Sequence, residues 1–261
     1  MGKLFVTTSP YYRAVSCHVI AHTTMINNLL KLLFILTISY PCQAQVLNNS
    51  RATPYGIFKY SDQDKETVDD LIQCCKNNLQ KITDILKVNF DPKTIIEIFP
   101  NQTAYDENII NRDLKGSPAI SGYGKIQMVS PKSSIKIASI PYPDRLLFLI
   151  HEYVHTSINQ ISPTMPTFLN EGLACYYGSN NFYRAVVDKY LDQLNNKPTV
   201  DLLINNYNMI PGVDVYSFLF IDFLVRTEGE QKLPAILKNH SSLNSKNNSW
   251  IKYLDSLKQK R

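Results

Sequence analysis

Residues 151–155 read His-Glu-Tyr-Val-His. Side chains four apart on a helix lie one turn apart on one face, so His151 and His155 project side by side. Their imidazole nitrogens then reach a common ion at about 2.0–2.1 Å. Glu152 is rotated off that axis but stays close enough to hold a water rather than the ion. Leu146, Leu147, Leu149, Ile150 and Val154 flank the motif and describe a helix with a buried face. Polar groups on such a helix need partners, because burying them unpaired is costly. Only three of the five positions are specified, and two histidines on a helix are more often ordinary polar side chains. The pattern alone leaves both readings open.

A catalytic zinc site takes three protein ligands and keeps one position open, so a third ligand must lie downstream. Residues 166–178 read PTFLNEGLACYYG and place Glu171 on the next helix. Phe168, Leu169, Leu173 and Ala174 surround it, a setting in which an unpaired carboxylate is expensive. One ion shared by His151, His155 and Glu171 relieves all three side chains at once. Without such an ion, Glu171 is a surface acid in a helix first turn, where the helix dipole favours it. Gly172 and Ala174 are small and let this helix approach the first.

HEYVH followed by PTFLNEGLA resembles the glutamate-zincin (gluzincin) metallopeptidases, especially the small peptidase-MA-like domains. Aminopeptidase-N-like enzymes carry a similar histidine pair and a similar Asn-Glu-Gly stretch. The resemblance is specific over residues 140–178 and looser over 120–260. It implies a zincin-like fold, one zinc ion per chain held by His151, His155 and Glu171, and Glu152 as general base. Zinc and Glu152 together would activate a water for hydrolysis of a peptide bond. Similar enzymes place a tyrosine at the start of a comparable downstream helix to steady the oxyanion. Here that position falls on Tyr216, with His240 a weaker candidate. They also pair extended substrate with a strand above the zinc helix, which corresponds to SGYGKIQMV at 121–129. Two departures stand out. The position one turn past Glu171, where some zincins carry an acid that orients a histidine, is Cys175. The 121–129 stretch also lacks the acidic residue of the aminopeptidase motif, which speaks against exopeptidase action and leaves an endopeptidase or an undefined specificity.

The elements that must position these residues follow from periodicity. Residues 56–60 alternate as a strand, and apolar residues recur at three and four over 63–88 as a long helix. The β-branched run 94–99 ends at Pro100 and reads as a strand, 101–110 as a short helix and 121–129 as a strand ended by Pro131. Helices are predicted over 144–160, 167–177, 182–194, 214–227, 230–238 and 249–259. Strands and one helix come first and helices follow. This predicts an α+β fold with a small N-terminal mixed sheet, an active-site helix carrying the motif and a helical C-terminal part.

Composition narrows the function classes. The chain is 44% hydrophobic and 19% charged, the make-up of a globular protein. Its net charge of +5 is uneven, since residues 1–44 hold Lys3, Arg13 and Lys31 and no acid. The remainder carries 24 basic and 22 acidic side chains, too balanced for a nucleic-acid binder. From Met25, a lysine-flanked apolar run closes on Cys42 and Ala44, the small residues that a signal peptidase reads. The expected organisation is an upstream extension at 1–24, a signal peptide at 25–44 and a zinc metallopeptidase-like domain at 45–261. It predicts export to periplasm or extracellular space and no stable membrane span after signal removal. Export permits disulfides. A bridge from the Cys74/Cys75 pair to Cys175 and three buried thiols are equally compatible with the sequence.

These features favour an exported zinc metallopeptidase acting on peptide or protein. A zinc hydrolase of non-peptide amides has the same signature. A non-catalytic binding or scaffold protein retaining a zincin fold is the alternative, and Glu152 speaks against it because a structural site has no use for a base.

Overall fold

The computed structural model describes residues 47–133, 139–191 and 197–259. The leader at 25–44 and the extension before it lie outside the described residues. The molecule is α+β, with one five-stranded mixed sheet and helices making up most of the chain. Strands β1 (Asn49–Thr53), β2 (Gly56–Tyr60), β3 (Ile95–Phe99), β4 (Ala119–Gly122) and β5 (Lys125–Val129) lie in the order β1-β2-β3-β5-β4. β1–β2 and β4–β5 are antiparallel, while β2, β3 and β5 run parallel.

Register explains why the sheet has one apolar face. Phe58 pairs with Ile96 and Ile96 with Ile126, and in the next row Tyr60, Ile98 and Met128 align. All six are buried. Helix α1 (Lys65–Leu86) crosses over between the parallel strands β2 and β3, and its Val68, Leu71, Cys75, Leu79 and Ile82 lie in the same core cluster. On the other face the pair Glu97–Gln127 is polar. The Gln127 amide donates to Glu97 at 2.8 Å and to the Asn108 carbonyl at 3.0 Å, and it accepts from the Ile110 amide at 2.7 Å. This network ties helix α2 (Gln102–Asn108) and the segment after it to the sheet.

The predicted strand 121–129 is instead a hairpin. Tyr123 and Gly124 have φ of 50° and 74°, the left-handed pair that closes a two-residue turn. The tip carries Tyr-Gly rather than the Asn-Gly or Asp-Gly that marks such turns, so a single strand was the natural reading. The consequence is functional, because β4 becomes the sheet edge. Tyrosine is a poor residue for a left-handed position and costs about 1 kcal/mol there.

The second half is helical: α3 (Tyr142–Ser157), α4 (Thr167–Gly178), α5 (Asn180–Leu191), α6 (Val200–Asn205), α7 (Val213–Glu228), α8 (Leu233–Lys238) and α9 (Asn247–Gln259). β1 and α6 are the elements that sequence periodicity missed, both short. α4 packs between α3 and α7, and Trp250 of α9 is buried against Phe220 and Phe223 of α7. Cys74, Cys75 and Cys175 are all free and buried, so neither of the pair bridges to Cys175. Among the described residues no helix is long and apolar enough to cross a membrane.

Helix α3 is fixed to the sheet by Tyr153. Its ring is fully buried and meets Phe90 edge-on, and its hydroxyl donates to the Tyr55 carbonyl at 2.5 Å. This bond sets the depth of the helix that carries both histidines. Tyr153→Phe is expected to lower stability by about 1 kcal/mol, a fall of about 2–4 °C in thermal denaturation.

Candidate metal centre

Helix α3 buries Leu149, Ile150, Tyr153 and Val154 against the core, which leaves His151 and His155 on the face toward α4. Their Nε2 atoms stand 3.0 Å apart. Glu171 of α4 brings Oε2 to 3.7 Å from His151 Nε2 and 3.6 Å from His155 Nε2. A tetrahedral ion with ligands at about 2.0–2.1 Å holds them about 3.3–3.4 Å apart. The three observed separations bracket that value, so the donor set fits one zinc ion in size and in chemistry.

The approach of the two helices depends on a glycine other than the one expected. A side chain at Gly172 would collide with the Ser217 carbonyl and stand 2.9 Å from Ile221, both on α7. Gly172 therefore serves the α4–α7 contact. Gly178 faces α3, where a Cβ would collide with the His151 backbone and stand 2.7 Å from its Cβ. The last residue of α4 thus lets that helix close onto the first ligand.

Charge in the site is unbalanced. Glu152 is 7% exposed, and burial raises its pKa, opposed by His155 and by the hydroxyl and backbone of Ser121 on β4. Burial also raises the Glu171 pKa, against the pull of His155. Among the described residues neither carboxylate pairs with a lysine or arginine. Burial, and then His155 beside it, push His151 well below the ordinary imidazole value, so the ring is neutral and its lone pair is available. The other nitrogen of His151, Nδ1, is buried without a well-formed hydrogen bond and has only the Ala174 backbone favouring a proton on the ring. One carboxylate, Glu171, and two imidazoles, His151 and His155, bring a ligand atom each within 4.8 Å of one another, an arrangement able to hold a metal ion.

The positioning of His155 comes from Asn170. His155 Nδ1 donates to Asn170 Oδ1 at 2.8 Å, which leaves Nε2 as the acceptor facing His151 and Glu171. The sequence places this asparagine directly before Glu171, and its amide oxygen supplies what the acid missing at Cys175 would have supplied. Cys175 is instead fully buried, with its thiol pushed up by burial against the opposing hydrogen bond of the Tyr183 hydroxyl.

The centre opens into a groove of about 770 Å³, lined on one side by Ile120, Ser121 and Gly122 of β4 and on another by Asn159 and Gln160 after α3. Among the described residues Asp91, Glu152 and Glu171 are its carboxylates, and no lysine or arginine lines it. Of the sequence-predicted site residues, His151, Glu152, His155 and Glu171 meet here. Tyr216 does not join them. It is 1% exposed in the core with its phenol pushed up to about 12 by burial, and it does not line the groove. His240 stands 3.4 Å from the Thr164 hydroxyl, also away from the groove. Tyr183 and Tyr207 both sense the charge of Glu171, and the Tyr207 hydroxyl donates to Asp214 at 2.5 Å.

Comparison with family models and with curated proteins finds no match to this chain.

If Asn170 orients His155 for a metal, Asn170→Ala weakens zinc binding by about 10–100-fold. Competition against a zinc-chelating dye measures this, and equal affinity for variant and parent would remove Asn170 from that role.

Proposed function

We propose that this chain is an exported zinc metallopeptidase of the gluzincin type, which hydrolyses peptide bonds in extended substrate. The observation that carries the reading is the convergence of His151, His155 and Glu171 at tetrahedral spacing, with a further buried carboxylate, Glu152, beside them at the floor of an open groove. A structural metal site closes its coordination with protein ligands, whereas three ligands and an open side are the catalytic arrangement. Export rests on the leader ending at Ala44, and the product compartment is periplasmic or extracellular.

Zinc held by His151, His155 and Glu171 supplies Lewis-acid chemistry, polarising a carbonyl and bringing the pKa of a water toward neutrality. The rest of the work falls to the chain. β4 pairs with β5 on one side and lines the groove on the other, so its outer edge is available to an extended peptide. The peptide would add as a further strand and bring a carbonyl over the histidines. Glu152 takes the proton of the attacking water on a carboxylate oxygen and passes it to the departing amine nitrogen. Its burial raises its proton affinity, which suits a group that must accept and then release. Ser121, on the strand that the substrate would pair with, faces the same carboxylate and favours its ionised form. Asn170 keeps His155 in the tautomer whose Nε2 lone pair points inward.

Two variants separate binding from chemistry. Glu152→Gln keeps its zinc by elemental analysis and loses hydrolysis of a peptide mixture by at least about 100-fold. Glu171→Ala loses zinc as well as activity. Cleavage by Glu152→Gln at the parental rate would contradict the mechanism, and a parent that binds zinc but cuts no peptide would favour the scaffold alternative.

A further inference from the structure

Tyr123 presents a feature that the fold does not explain. It is 97% exposed, so packing holds nothing there. It sits at the first position of the β4–β5 turn with φ of 50°, a conformation that asparagine or glycine adopts with less strain. The residue is thus disfavoured by its own backbone and unrewarded by the core. Its place is at the mouth of the groove, which it lines together with Leu114. Leu114 is also solvent-exposed, at 44%, and belongs to the short turn Arg112–Leu114 facing the same space. Two of the four large apolar side chains found exposed among the described residues therefore flank this one opening.

We infer that Tyr123 and Leu114 form the side-chain-reading subsite of the groove and take a bulky uncharged residue, aliphatic or aromatic, of an extended peptide. The inference rests on the proposed peptidase reading and names its preferred substrates. An extended peptide paired with β4 presents alternate side chains to the sheet's two faces. One set would pass beneath the hairpin tip, where a tyrosine ring offers a large rigid surface at little conformational cost. The charges of the groove fit the same occupant. Among the described residues Asp91, Glu152 and Glu171 line it and no lysine or arginine does, so an acidic side chain in that position meets repulsion. Tyr123 is a specificity-determining residue in this view, with no part in proton transfer.

The test uses opposite signs for stability and recognition. Tyr123→Asn creates Asn-Gly, the favoured pair for this turn, and should raise the melting temperature by about 2–4 °C. In the zinc-loaded protein the same variant should flatten the preference for large apolar residues at one position of the cleavage profile. For peptides carrying that residue, kcat/KM should fall about tenfold, chiefly through KM. Leu114→Ser should act in the same direction. A more stable Tyr123→Asn protein with the parental profile and KM would make Tyr123 a turn residue only and overturn the inference, leaving the peptidase reading intact. Retention of the peptide mixture by zinc-loaded Glu152→Gln protein, with and without Tyr123→Asn, reads the same contact without hydrolysis. If the parent cuts nothing, the peptidase reading fails. Equal retention of apolar peptides by both proteins would then overturn the subsite too, and selective loss in the variant would uphold it.

Discussion

Two carboxylates and two imidazoles share the floor of one groove, and among the described residues no lysine or arginine answers their charge. Placing ionised acids in a partly dehydrated site without a counter-charge costs several kcal/mol per group. A divalent cation at the meeting point of His151, His155 and Glu171 would remove that cost, and the helices around them hold the three donors near the spacing that such an ion takes. The orphaned Nδ1 of His151 and the Asn170-bound Nδ1 of His155 show how far the two rings differ. One is held by a specific acceptor and the other by the closeness of α4.

That closeness has a backbone origin. Gly178 sets α4 against the His151 backbone, and Gly172 sets the other side of α4 against α7. α4 is thereby clamped between two helices, and Glu171 has little freedom to withdraw. On the sheet side, Tyr153 fixes α3 to the β1–β2 turn through Tyr55. Ser121 on the edge strand then comes to face Glu152. The proposed general base, the proposed ligands and the strand that would receive substrate are referenced to one another through a few close contacts rather than through loops.

The nearness of His151, His155 and Glu171 was legible in the sequence, as was the α+β class. A spacing of four on a helix fixes a shared face whatever the tertiary structure, so His151 and His155 could be paired from the sequence. Glu171 followed from the cost of an acid among Phe168, Leu169 and Leu173. Tyr216 was assigned by position along the chain. The apolar run Val215–Leu224 instead buries α7 on nearly every side, and the phenol goes inward with it. Asn170 was in view within Asn-Glu-Gly, but its role depends on the direction of a side chain, which spacing does not encode. The hairpin at Tyr123–Gly124 was missed because tyrosine is a poor turn residue. A local preference overridden at the mouth of a groove is where function and foldability commonly diverge. The glycine that matters for the α3–α4 approach, Gly178, is the last residue of α4, and spacing along the chain does not show which neighbour a glycine meets.

The most direct test of the shared ion is X-ray absorption at the zinc edge, together with elemental analysis of the purified protein. The predicted result is one zinc per chain in a four-coordinate shell with two imidazole nitrogens at about 2.0–2.1 Å, the remaining scatterers being oxygen. A sulfur scatterer at about 2.3 Å would draw a cysteine into the shell and contradict the ligand set. So would a fully loaded protein whose zinc sees fewer than two imidazoles.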